Sequence, residues 1–148
     1  MLRQTLLFLS EREDLKNVLM KMPFSRQAAS RFVAGETSAE ALAAARALND
    51  AGFRVTLDLL GESVNEREEA EAATAAYQKS LDEIESSDAV STISLKLTQL
   101  GLDIDEEFCF QNILGIVQYA EQLGTFVRID MESSEHTERT LRIFHKVF

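Results

Sequence analysis

Ile93-Ser94-Leu95-Lys96-Leu97-Thr98-Gln99-Leu100-Gly101 decides how this chain is read. Apolar and polar residues alternate from Ile93 to Thr98, and a strand sends successive side chains to opposite faces. Ile93, Leu95 and Leu97 therefore share one face, and Ser94, Lys96 and Thr98 the other. The run begins near Val90 and is closed by Gly101. Two further runs have the same character. Phe53 to Leu60, closed by Gly61, puts Val55, Leu57 and Leu59 on one face and Thr56 and Asp58 on the other. Thr125 to Asp130 opposes Val127 and Ile129 to Arg128 and Asp130.

Helical patterns separate these runs. The charged stretch from about Asn65 to Ser86 follows the first. A helix from about Asp105 to Leu123 follows the second, with Phe110, Ile113, Leu114, Val117 and Ala120 on one stripe, and Gly124 ends it. A last helix starts near Ser134 and carries Leu141, Phe144 and Phe148. Strand and helix in alternation mean βαβ units and a parallel sheet. Ahead of them, Leu15, Val18, Leu19 and Met22 recur at helical spacing until Pro23, and a short helix spans about Ser25 to Val33. Thr37-Ser38-Ala39-Glu40 reads as a capping box for an Ala-rich helix reaching Asp50. Residues 1–52 are thus a helical arm, and residues 53–148 hold three βα units.

Parallel strands are ordinarily buried on both faces and read as unbroken apolar runs. Here one face of each is polar. A (β/α)8 barrel accounts for this, because helices cover its outside and functional groups gather at the C-terminal ends of its strands. Asp58, Lys96 and Asp130 sit at those ends. A lysine flanked by two carboxylates can bind an anionic group and fix its orientation. An antiparallel or open sheet with one wet face, its charges merely solvated, is the other reading. Glu62 lies in the loop just past the first strand, on the same side.

Composition narrows the classes. There are 25 acidic and 15 basic residues, for a net charge of −10, and no Lys/Arg cluster, which argues against nucleic-acid binding. A single cysteine, Cys109, excludes an internal disulfide and fits a small apolar residue in a helix. His136 and His145 have no Cys or His neighbours at ligand spacing, so no metal site is expected. Neither a glycine-rich phosphate loop nor a nucleophile elbow occurs. The apolar run near the start is short and is followed by Glu11-Arg12-Glu13-Asp14, so no export signal is expected; no apolar stretch nears the ~20 residues needed to cross a bilayer.

The strand blocks carry a specific likeness. Thr56-Leu57-Asp58-Leu59-Leu60-Gly61-Glu62, the Lys96-Leu97-Thr98-Gln99-Leu100-Gly101 block and Val127-Arg128-Ile129-Asp130-Met131-Glu132 resemble the first three strands of bacterial monofunctional proline dehydrogenases. Ala29-Ser30-Arg31-Phe32-Val33-Ala34-Gly35-Glu36-Thr37 resembles the arm before their barrel. The resemblance implies a flavoprotein (β/α)8 fold of the TIM-barrel type and oxidation of L-proline to Δ1-pyrroline-5-carboxylate, with FAD taking the hydride and a membrane quinone the electrons. It implies a cytoplasmic enzyme of proline catabolism with peripheral membrane contact. It matches Lys96 to the lysine that binds the substrate carboxylate, Asp130 to the active-site aspartate, and Glu62 to a loop glutamate that gates the site by pairing with a later arginine. Asp58 shares their face without an assigned role. The family's carboxylate-clamping arginines and most of its FAD contacts would fall after Phe148. Eight units need about 250 residues. The expectation is therefore a truncated, N-terminal portion of the enzyme with weak FAD binding and low activity alone. The alternative is a non-catalytic truncated barrel protein, acting through self-association of its open sheet edges or through a partner.

Overall fold

A computed structural model describes residues 33–61 and 63–148. The helices expected over residues 11–22 and 25–33, and Glu62, lie outside the described residues, apart from Val33. Residues 41–148 make one compact unit.

Helix α1 spans Ser38–Asp50. Its start is the expected capping box: Thr37 Oγ1 accepts from the Glu40 amide at 3.3 Å, and Glu40 Oε2 accepts from the Thr37 amide at 3.2 Å. The bonds from the Glu36 and Thr37 amides hold the Glu40 carboxyl below its usual range. Gly52, at φ 89°, closes the helix. Asn49, on its last turn, donates to the carbonyls of Phe53 and Val90 and accepts from the Val90 amide, tying the entrances of the first two strands together.

Strands β1 (Val55–Asp58), β2 (Ser91–Leu95) and β3 (Val127–Ile129) form a three-stranded parallel sheet in the order β1-β2-β3. The register sets Asp58 beside Ser94, and Ser94 beside Arg128. Helices α2 (Arg67–Glu85), α3 (Glu106–Gln122) and α4 (Thr137–Val147) follow the three strands in turn. Ala70, Tyr77, Leu81 and Ile84 of α2 recur at helical spacing and are buried, the last three in one core with Ile93, Leu95 and Val127 of the sheet. Each fully buried Leu or Ile contributes about 1.5–3 kcal/mol relative to exposure. The α/β class and parallel sheet expected from the alternation are present.

Three details differ from the sequence expectation. All three strands are shorter than the runs that encode them, and β2 stops at Leu95: Leu97–Leu100 turn into a 3-10 helix. The cause is packing. Leu97, Leu100 and Leu102 are all buried, and a straight strand could not point Leu97 and Leu100 into one core. Gly101, at φ 91°, caps the turn. On α3 the buried stripe is Cys109, Ile113, Ile116 and Ala120, displaced from the expected one, with Phe110 and Val117 at its margin. On α4 Thr140 and Ile143 are buried, whereas Leu141, Phe144 and Phe148 are exposed on another face.

Candidate functional site

The polar face carries two tiers. Nearer the strand entrances, Arg128 Nη1 donates to Thr56 Oγ1 and Thr92 Oγ1, and its guanidinium lies 5.2 Å from the Phe126 ring centre. Beyond it, at the C-terminal ends, Lys96 Nζ meets Asp58 Oδ2 at 2.7 Å and Asp130 Oδ2 at 3.4 Å. Ser94 donates to the other oxygen of Asp130. The Asp130 amide continues the β2–β3 ladder by donating to the Leu95 carbonyl at 2.9 Å. Asp58 thus ends β1, Lys96 leaves β2 and Asp130 leaves β3, all at the C-terminal edge of the sheet, with Asp58 two residues behind the other two in register. The three residues chosen from strand alternation meet in one cluster.

The cluster holds one cation and two anions. Hydrogen bonding to Asp58 raises the Lys96 pKa; partial burial works against this, and the charge of Asp58 and the contact with Asp130 add to the rise. The lysine therefore stays charged throughout the neutral range. The side chains of Lys96, Asp58 and Asp130 keep 28%, 38% and 41% of their exposure, so water still reaches them. Pairs this exposed contribute about 1 kcal/mol at most to stability. Their partners can be exchanged at small cost, which suits a site that must admit a ligand.

Other polar groups beside the cluster are not evident from local pattern. Thr98 donates to Glu132 through its hydroxyl, and its amide does so at 3.2 Å. The buried Tyr77 hydroxyl donates to Gln99 Oε1. Burial, with the charge of Asp58 second, pushes the Tyr77 pKa up, so the phenol keeps its proton. Farther out, Asp103 accepts from Arg139 at 2.6 Å and faces His136 Nε2 at 3.1 Å, which fastens the loop after the 3-10 turn to the start of α4. Burial opposes ionisation of Asp103, but the bonds from Arg139 and His136 outweigh it and leave its pKa lowered. The side-chain partners of Thr98, Gln99 and Asp103 lie 22 to 40 residues away, and the one available signal was the i, i+3 spacing of Leu97 and Leu100, which marks a turn.

Cys109 is buried in the core, with Sγ 3.4 Å from the Leu97 carbonyl, and burial pushes its thiol up to about 12. It is unsuited to nucleophilic work. No group of three His, Cys, Asp or Glu side chains among the described residues could hold a metal ion, and no described helix is long and apolar enough to cross a membrane.

Comparison with known proteins agrees with the resemblance drawn from the strand blocks. The family model for proline dehydrogenase matches residues 41–148. Proline dehydrogenase 1 of Bacillus subtilis (strain 168) is 37% identical over 146 residues, covering 99% of this chain and 48% of that protein. The bifunctional protein PutA of Escherichia coli (strain K12) is 32% identical over 130 residues, covering 79% of this chain and 10% of that one. Among solved structures, proline utilization A from Bdellovibrio bacteriovorus, inactivated by N-propargylglycine, shares the fold with a TM-score of 0.74 at 22% identity, over 83% of this chain and 15% of that chain. The chain spans about half the length of the Bacillus subtilis proline dehydrogenases it matches. On the family match over residues 41–148 and the identity along nearly its whole length, the chain belongs to the proline dehydrogenase family.

Proposed function

We propose that this chain supplies the substrate-orienting part of a flavin-dependent enzyme that oxidises L-proline to Δ1-pyrroline-5-carboxylate. The observation that carries the reading is the Asp58–Lys96–Asp130 cluster at the C-terminal ends of three parallel strands. Proline is a zwitterion. Its carboxylate matches the Lys96 ammonium, and its ring ammonium matches a neighbouring carboxylate, for which Asp130, whose contact with Lys96 is the longer at 3.4 Å, is the candidate. Asp58, at 2.7 Å, would keep Lys96 aimed while Asp130 turns to the substrate. Glu62 belongs to this reading as the gating group of the loop after β1. The three βα units are read as the opening units of a (β/α)8 barrel, preceded by the arm over residues 1–52.

The described residues do not by themselves fit FAD. Three strands spaced about 4.8 Å apart offer a face only about 10 Å wide. Its cations, Lys96 and Arg128, are already engaged by carboxylates and hydroxyls. Flavin and quinone contacts are therefore assigned to the part of the family fold that this chain does not match. A cytoplasmic setting with peripheral membrane contact completes the reading, because the quinone acceptor is lipid-borne.

The second reading, a non-catalytic protein that associates through its sheet edges, draws on one observation: β1 and β3 each have a single strand neighbour among the described residues. Dye-linked proline oxidation separates the two. In the longest natural polypeptide that contains this segment, proline turnover is expected, and Lys96→Ala is expected to raise KM for proline by about a hundredfold, the loss of one charge-assisted contact. The 148-residue chain alone is expected to bind FAD weakly and turn over little. An unchanged KM would remove Lys96 from the site; absence of turnover in the longest polypeptide would favour the second reading.

A further inference from the structure

Gln99 is a polar side chain in the core, 3% exposed, on the 3-10 turn that begins directly after Lys96. It makes three contacts with different parts of the site. Its backbone amide donates to the Lys96 carbonyl at 3.2 Å. Its side-chain Nε2 donates to the carbonyl of Leu59, the residue after Asp58, at 3.3 Å. Its Oε1 accepts from the Tyr77 hydroxyl of α2. One residue thus touches the chain beside both members of the Asp58–Lys96 pair.

The direction of these bonds matters. An amide side chain has one donating and one accepting end, and a carbonyl can only accept. The Tyr77 hydroxyl, fixed in the core at 1% exposure, claims the oxygen end. The nitrogen end is thereby turned to Leu59. With no Tyr77 hydroxyl, the amide could flip and would then set oxygen against oxygen. The loop after β1 also comes very close to this amide: a Cβ placed on Gly61 would collide with Gln99 Nε2. The same loop is fastened again where the Val64 amide donates to the Thr98 carbonyl at 3.4 Å. The segment 59–64 is therefore held at both ends against the turn that follows Lys96.

We propose that Tyr77 and Gln99, with the bare backbone of Gly61, are positioning residues that fix the end of β1 against the Lys96 turn and so keep the Asp58 carboxylate aimed at the Lys96 ammonium. Neither side chain needs to touch substrate. The proposal rests on the reading of Lys96 as the carboxylate-binding group for its meaning in catalysis, but its geometry stands without it. The buried strut holds by direction, whereas the ion pair it serves is half-exposed and would otherwise sample many arrangements.

The test reads Lys96 itself. In the 148-residue chain, competitive acetylation followed by mass spectrometry compares Lys96 with Lys79, whose side chain is 74% exposed. Lys96, held by Asp58, is expected to react more slowly than Lys79. Tyr77→Phe and Gln99→Leu are each expected to raise the Lys96:Lys79 ratio by about threefold or more, the effect of half a pKa unit. An unchanged ratio in variants that still unfold cooperatively would overturn the proposal. Should Gln99→Leu fail to fold, Gly61→Ala is compared in the native and Gln99→Ala backgrounds. Gly61→Ala is expected to raise the ratio in the first and to add nothing in the second, and additive effects would refute the strut. Acetylation involves no proline, so a failure of the proline reading leaves this result intact, and the reverse also holds.

Discussion

The two faces of β2 obey different rules. On one, Ile93 and Leu95 are buried to 1% or less against the helices. On the other, Thr92 meets Arg128 and Thr56, Ser94 meets Asp130, and Lys96, just past the strand end, meets Asp58 and Asp130. The helix face is held by area removed from water, which has no direction and tolerates exchange of similar shapes. The polar face is held by pairs with fixed direction and little net stability. Five successive residues therefore serve two ends: one side of the strand keeps the sheet folded, and the other presents groups free to change partners.

That contrast is open to attack first from the helix side. Ile93→Ala is expected to lower unfolding free energy by about 3 kcal/mol, the lost transfer energy plus a cavity in a core that cannot fully relax. Urea denaturation of the 148-residue chain, read by circular dichroism, measures it. A loss under about 1 kcal/mol would mean that the helix face is loosely packed and that the contrast is overstated.

Glu132→Gln probes the border between the two faces. Glu132 accepts from both the amide and the hydroxyl of Thr98, on the turn whose leucines belong to the core. A glutamine offers one oxygen in place of two and loses the charge. The expected cost is about 1–2 kcal/mol by the same measurement, between the values for core and ion pair. A neutral result would move Glu132 to the exchangeable side of the division.

How much of this could be read beforehand follows from the same division. Alternation along three short runs was enough to bring Asp58, Lys96 and Asp130 together, because a period of two is a local property of the chain. It failed where the chain stopped being a strand. Leu97 and Thr98 extend the alternation of β2 perfectly, yet Leu97, Leu100 and Leu102 are all drawn into the core and the backbone turns to satisfy them. On α4 the eye is caught by Leu141, Phe144 and Phe148, but the buried positions are Thr140 and Ile143: residue size does not reveal which side of an amphipathic helix meets the core. Tyr77, Gln99 and Glu132 were not visible at all, since each owes its role to a partner 22 to 34 residues distant. Glu62, assigned by resemblance, lies outside the described residues.

The smallest effect tests the polar face directly, through pH. The Lys96 pKa is raised in the fold, chiefly by its bond to Asp58, so the folded protein binds this proton more tightly than the unfolded chain. The resulting stabilisation is fully present below the unfolded value near 10.5 and fades as pH rises through the still higher folded value. At pH 7 the exposed pairing contributes about 1 kcal/mol at most. Lys96→Met is therefore expected to destabilise by no more than that at pH 7, and the difference from the native chain should shrink as the lysine loses its proton at strongly alkaline pH. The mutant also removes the charge that balances Asp58 and Asp130, so added salt should narrow the gap at neutral pH by screening the two carboxylates. A loss near that of Ile93→Ala would show that Lys96 is a structural fastener, and the separation of folding from function across β2 would not hold. A gap that widened with pH would contradict the raised pKa itself. Either result would weaken the case that this ammonium is free to exchange its aspartates for a substrate carboxylate.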